Sequence, residues 1–127
     1  MYKSFEDMPV WQKAMDLATR VFEITEKLPR KEDYGLTSQI RRSGLSVPAN
    51  IAESFGREHT LNKLIFYYNA RGSLTETKSH LIYGYRVKYF SEEVFLDMDN
   101  RISEIWQELN KIITTLKRKS VTYESQP

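Results

Sequence analysis

The sequence predicts an all-α protein, an up-down antiparallel bundle of four long helices. Three observations carry that expectation. Apolar residues recur at three- and four-residue spacing through most of the chain, the period of a helix face. Pro9 and Pro29 flank the first apolar segment, and with only five Gly and four Pro in 127 residues the elements are few and long. No strand-like alternation competes. The length fits one domain and the 40% hydrophobic content suffices for a core. Residues 1–120 are expected to form the bundle and residues 121–127 a frayed tail.

The first helix is predicted from Pro9 to Leu28, with Pro9 in the first turn and Asp7 as its cap. Val10, Ala14, Leu17, Val21 and Leu28 form one stripe; Trp11, Met15, Ala18 and Phe22 form a second beside it. So wide an apolar arc meets more than one neighbour. The second helix is predicted from Asp33 to Phe55, with Leu36, Ile40, Val47, Ile51 and Phe55 on one face. Pro48 cannot donate to the carbonyl of Gly44, and its ring crowds that oxygen. The absent side chain at Gly44 relieves part of the crowding, so one kinked helix is expected rather than two. An interior proline costs ~3 kcal/mol in an isolated helix, which tertiary contacts must offset. Ser43, Gly44 and Ser46 let a neighbouring backbone approach closely.

Gly56 ends that helix, and Thr60 is the expected cap of a third helix running to Lys88. Leu64, Tyr67, Ala70, Leu74 and Leu81 mark its buried stripe. Gly72 in its interior costs ~1 kcal/mol against alanine, which predicts close packing against another helix. Ser91 followed by Glu92 and Glu93 opens the fourth helix. Phe95, Met98, Ile102, Ile105, Leu109, Ile112 and Leu116 then alternate by three and four residues, widened by Trp106 and Ile113. Lys117, Arg118 and Lys119 sit where cations favour a helix end.

The absence of cysteine excludes disulfides, thiolate chemistry and cysteine-ligated metal. The charged N-terminus lacks the apolar region of a signal peptide, and no apolar run approaches the ~18 residues that read as a membrane span. A cytoplasmic protein without a membrane partner is expected. His59 and His80 stand alone: Glu76 shares a helix face with His80, but one histidine and one carboxylate are too few for a metal site. Neither histidine has the arginine spacing of helical-bundle ribonucleases, and no phosphate loop or nucleophile elbow appears. No enzymatic activity, metal or cofactor is expected.

Charge is uneven. Residues 35–90 hold eight Lys/Arg against three Asp/Glu, a net of +5, while residues 1–34 and 91–127 carry −1 and −2. Arg41, Arg42, Arg57, Lys63, Arg71, Arg86 and Lys88 are the candidate nucleic-acid contacts. The segment "YGYRVKYF", residues 83–90, interleaves aromatic and basic residues in a pattern suited to stacking and phosphate contact. Two blander readings stand beside this one. The charges form a solvated face, with bundle tyrosines in core or interface positions. Alternatively the protein is a scaffold or adaptor in which Arg41 and Arg57 pair with carboxylates such as Glu53 and Glu76.

"VWQKAMDL", "YGLTSQIRRSGLSVPANIAESFGR" and "FYYNARGSL" resemble the four-helix-bundle family of 23S rRNA intervening-sequence proteins, over about Phe5 to Leu116. The motif positions are Arg41, Arg42, Ser46, Pro48, Asn50, Glu53, Gly56 and Arg57, with Gly72, Ser73 and Glu76 on the third helix; Gly44 lies inside the same motif. The resemblance implies a ring-shaped homopentamer without established enzymatic activity. Related accessory variability determinants of diversity-generating retroelements bind nucleic acid and a reverse transcriptase, so RNA, DNA and a reverse transcriptase are the partners implied by analogy. The chain departs from the family pattern at Ser54, where glycine is usual, and at Thr77 and Lys78, which replace an expected apolar–acidic pair.

Overall fold

The computed structural model describes residues 1–124, with side chains through Val121. Four helices follow one another: α1 (Pro9–Thr25), α2 (Leu36–Phe55), α3 (Thr60–Arg86) and α4 (Glu92–Glu124). Each packs against its two neighbours around a square, α1 on α2, α2 on α3, α3 on α4 and α4 on α1. No strand occurs among the described residues.

The core is where the three-four spacing puts it. Leu17, Val21, Ile40, Val47, Ile51, Leu74, Leu81, Met98, Ile105 and Leu109 are wholly enclosed. The second stripe of α1 is mostly used within the chain: Ala18 is buried, Trp11 and Met15 half-buried, and Phe22 exposed. Phe5 sets its ring edge-on to Trp11 at 5.1 Å, fixing a short 3-10 turn, Phe5–Asp7, at the start of α1.

The helix ends differ from expectation in instructive ways. Met8, not Asp7, occupies the α1 cap; Ser4 caps the preceding turn, where Asp7 lies. α1 stops at Thr25, and a 3-10 turn, Arg30–Glu32, precedes α2. The carboxylate of Glu32 accepts the Leu36 amide at 3.1 Å, so α2 starts three residues later than predicted with an acid as surrogate cap. α2 then runs unbroken past the buried Pro48. Thr60 is the first residue of α3 rather than its cap. Ser91 caps α4 as expected, its Oγ accepting the Val94 amide at 3.1 Å. α4 continues to Glu124, so residues 121–124 extend the helix where a frayed tail was expected; 125–127 lie outside the described residues.

Gly44 is buried, and a Cβ there would stand 3.5 Å from Val21 Cγ2, an ordinary contact, so what meets it from α1 is the Val21 side chain rather than a backbone. Gly72 contradicts its prediction: it is exposed, and nothing lies within 4 Å of where its Cβ would be. Its surroundings supply the reason. The outward side of α3 holds Leu61, Ile65, Tyr68, Gly72, Thr75, Ser79 and Tyr83, all exposed and uncharged. Lys78 is the single charge among the exposed positions from 61 to 85. A helix apolar on its outer as well as its inner side has the pattern of a buried helix.

Candidate nucleic-acid interface

The polar residues of the α2–α3 motif mostly build the seam between those helices. Thr77 Oγ1 donates to Ser43 Oγ at 2.8 Å, and both side chains are wholly buried. One turn along, Ser73 Oγ donates to Ser46 Oγ at 2.8 Å, and Asn50 Nδ2 donates to the same Ser46 oxygen at 3.0 Å and to the Ser46 carbonyl at 2.8 Å. Small hydroxyl side chains allow two backbones to come close while these four side chains keep their polar atoms bonded. Thr77 is thus a full member of the seam. Ser54 is likewise buried, its hydroxyl donating to the Ile51 carbonyl at 2.6 Å.

The motif cations are largely engaged within the chain. Arg42 forms a salt bridge to Glu76 and donates to Gln39. The same Glu76 oxygen meets His80 Nε2 at 3.1 Å. The His80 contact, opposed by partial burial and aided by Arg42, holds the Glu76 carboxyl below its usual range. Arg57 pairs with Glu53 at 3.4 Å and lies over the Phe66 ring at 4.8 Å. Lys63 donates to the Ser54 carbonyl at 3.2 Å, completing the end of α2. Arg41 has no carboxylate: its Nε donates to the buried Thr25 hydroxyl at 2.8 Å, and its guanidinium covers Phe22 at 4.6 Å.

These residues do not form one surface. Arg41 faces α1, Arg42 faces α3, and Arg57 with Lys63 lies at the α2–α3 turn. Arg86 and Lys88 sit at the opposite end of α3, ~35 Å from Lys63 at 1.5 Å per residue. The segment 83–90 is a helix terminus. Tyr89 N donates to Gly84 O at 2.8 Å and Lys88 N to Tyr85 O at 3.0 Å, the paired bonds of a Schellman cap. Lys88 occupies its left-handed position with φ 70°. Phe90 is buried against Gly84, where a Cβ would lie 2.3 Å from its ring. Tyr89 donates to Glu32 at 2.8 Å, and Tyr85 stacks on Phe95 at 4.6 Å. Among the described residues, Arg86 and Lys88 have neither a hydrogen bond nor an ion pair through their side chains.

The interleaving of cations and aromatics also occurs along the groove between α3 and α4. Arg71 donates to Asn110 Oδ1 at 2.8 Å and stands 5.4 Å from the Tyr68 ring and 5.8 Å from the Trp106 ring. Lys117 lies 5.8 Å from the other ring contact of Arg71, Tyr68. Among the described residues neither cation has a carboxylate partner. Further along, Lys78 pairs with Asp99 at 3.3 Å. Leu74, Thr75, Lys78, Ile102, Ser103 and Trp106 line an open hollow of ≈ 230 Å³. Of these groove residues, sequence reasoning named only Arg71 as a contact. The rest are joined by register across two helices, which no local spacing reveals. On the α1–α4 side the charges cancel: Lys13 bridges Glu104 and Glu108, and Asp97 accepts from Arg20 and Arg101.

Among the described residues, no three His, Asp or Glu side chains gather as a metal site. No described helix is long and apolar enough to cross a membrane.

Comparison with known proteins gives two results that agree with this architecture. The family model for the 23S rRNA-intervening sequence protein matches residues 6–111. A crystal structure of a protein of unknown function from the S23 ribosomal protein family of Bacteroides thetaiotaomicron superposes with a TM-score of 0.74 at 25% identity, covering 82% of this chain and 97% of that one. A search of curated proteins gives no match.

Proposed function

Because the chain belongs to the 23S rRNA-intervening sequence protein family, we propose that it is a non-enzymatic, self-associating helical bundle that binds nucleic acid through its phosphates. The observation that carries the binding is the α3–α4 groove, where Arg71 and Lys117 present charge without a carboxylate partner. Arg41, Arg86 and Lys88 add cations outside the groove, and repetition around an oligomer lets modest contacts add. No base-reading motif accompanies them, so sequence preference is slight. Self-association is supported by the uncharged outer side of α3 away from the α4 groove, Leu61, Ile65, Gly72, Ser79 and Tyr83, which one chain leaves uncovered. A cyclic assembly of copies would cover that side on every chain.

The scaffold reading, in which the protein acts through protein contacts alone, is favoured by a different observation. Arg42 and Arg57 are paired with Glu76 and Glu53, so the motif contributes less free charge than its sequence suggests. Exposed pairs of this kind hold the arginines by only ~0–1 kcal/mol, which leaves them exchangeable for phosphate. A mobility shift at low salt separates the two readings. Retardation of RNA or DNA that disappears as salt rises supports the proposal; no retardation at low salt leaves the scaffold.

A further inference from the structure

We propose that the α3–α4 groove takes single-stranded nucleic acid, stacking unpaired bases on Trp106 and on the Arg71 guanidinium while Lys117 and Lys78 meet the flanking phosphates. The inference rests on the phosphate-binding reading and adds a substrate class to it.

A phosphate-only surface needs cations and nothing more. This groove has, in order along its length, Lys117, Tyr68, Arg71, Trp106 and Lys78. Trp106 is 40% exposed and Tyr68 38%. Leaving large rings in water forgoes their burial, and both lie beside cations that hold them in place. Arg71 is itself fixed by Asn110 at 2.8 Å, so its planar group is oriented before any ligand arrives. Bases splayed from a single strand stack on aromatic rings and on arginine planes. A duplex keeps its bases stacked on one another and offers the groove only phosphate. The hollow beside Trp106 is lined by Leu74 and Ile102 together with Thr75 and Ser103, a mixed apolar and polar lining that suits a flat heterocycle. Lys78 keeps its Asp99 partner in the empty groove and exchanges it for phosphate when a strand is present.

The test is fluorescence anisotropy with a labelled oligouridylate and with an RNA duplex of equal length, each titrated over a range of salt. Wild type is expected to bind the single strand about tenfold more tightly than the duplex, a difference within the range one stacked base supplies. Trp106→Ala should lower single-strand affinity by about the same factor without altering the salt slope, because stacking releases no counterions. Trp106→Phe should restore most of it, and thermal unfolding confirms that both variants fold. Equal affinity for strand and duplex would overturn the inference while leaving phosphate binding in place, as would Trp106→Ala binding the strand like wild type. Failure to bind either probe at low salt would remove both.

Discussion

Thr77 Oγ1 and Ser43 Oγ meet at 2.8 Å in the wholly buried seam between α2 and α3. Each hydroxyl, with one proton to give, also has a carbonyl of its own helix in reach as an alternative acceptor: Thr77 that of Ser73 at 2.8 Å, Ser43 that of Ile40 at 3.2 Å. Removing one side of the pair therefore orphans nothing. Thr77→Val should cost about 1 kcal/mol, the net value of one hydrogen bond. Ser43→Ala should cost a similar amount, and the double variant less than the sum of the two. Urea unfolding measures all three; strict additivity would mean that the inter-helix bond contributes nothing.

Gly44 and Gly72 should respond oppositely to the same change. Gly44→Leu forces its side chain into Val21, already 3.5 Å from a built Cβ, and should cost about 1–3 kcal/mol by overpacking. Gly72 has open space, so Gly72→Ala should stabilise the folded chain by up to about 1 kcal/mol. Gly72→Leu should leave the fold intact but reduce the particle size in light scattering, because it stands in the middle of the outer side of α3. Unchanged assembly in that variant would remove α3 from the interface.

The α3–α4 turn yields a gain and a loss. Lys88 holds φ 70°, a region that non-glycine residues enter at a cost, so Lys88→Gly should stabilise by roughly 1 kcal/mol. Gly84→Ala should destabilise, since its Cβ would sit 2.3 Å from the Phe90 ring. Thermal melts that moved in the reverse directions would contradict the Schellman assignment.

Acid should weaken the α1–α2 connection through Glu32. Its bond from the Leu36 amide, then that from the Tyr89 hydroxyl, holds its carboxyl below the usual range. A depressed folded value means stabilisation that is complete above the unfolded carboxylate pKa, near ~4.3, and is lost as pH falls through the folded one. Glu32→Gln should therefore flatten the acid limb of a stability–pH curve. A limb as steep as that of wild type would show that Glu32 is not linked to folding.

Helix existence and core were legible because they depend on spacing within one element. Met98, Ile105 and Leu109 are wholly buried members of the stripe read on the fourth helix. Caps were less legible: Asp7 and Thr60 have capping chemistry, but the chain enters α1 and α3 one position away from each. Gly72 misled because a helical glycine signals close approach without saying whether the neighbour belongs to the same chain. In segment 83–90 the alternation of aromatic and basic residues was legible, but its Schellman cap and the burial of Phe90 were not. Interleaved cations and rings do occur, but Arg71 meets Trp106 and Asn110 across 35 and 39 positions of sequence, a pairing that only the α3–α4 register creates.

The most direct measurement is the salt dependence of nucleic-acid affinity for three proteins: wild type, Arg71→Glu with Lys117→Glu, and Arg41→Glu with Arg42→Glu. Affinity should fall linearly on a log–log plot, with ~0.7–0.9 of slope per phosphate neutralised. The groove variant should bind more weakly and with a slope shallower by about two such increments, while the motif variant, if it folds, keeps most of both. A groove variant that retained wild-type affinity and slope would contradict the account, and loss confined to the motif variant would return the binding surface to α2.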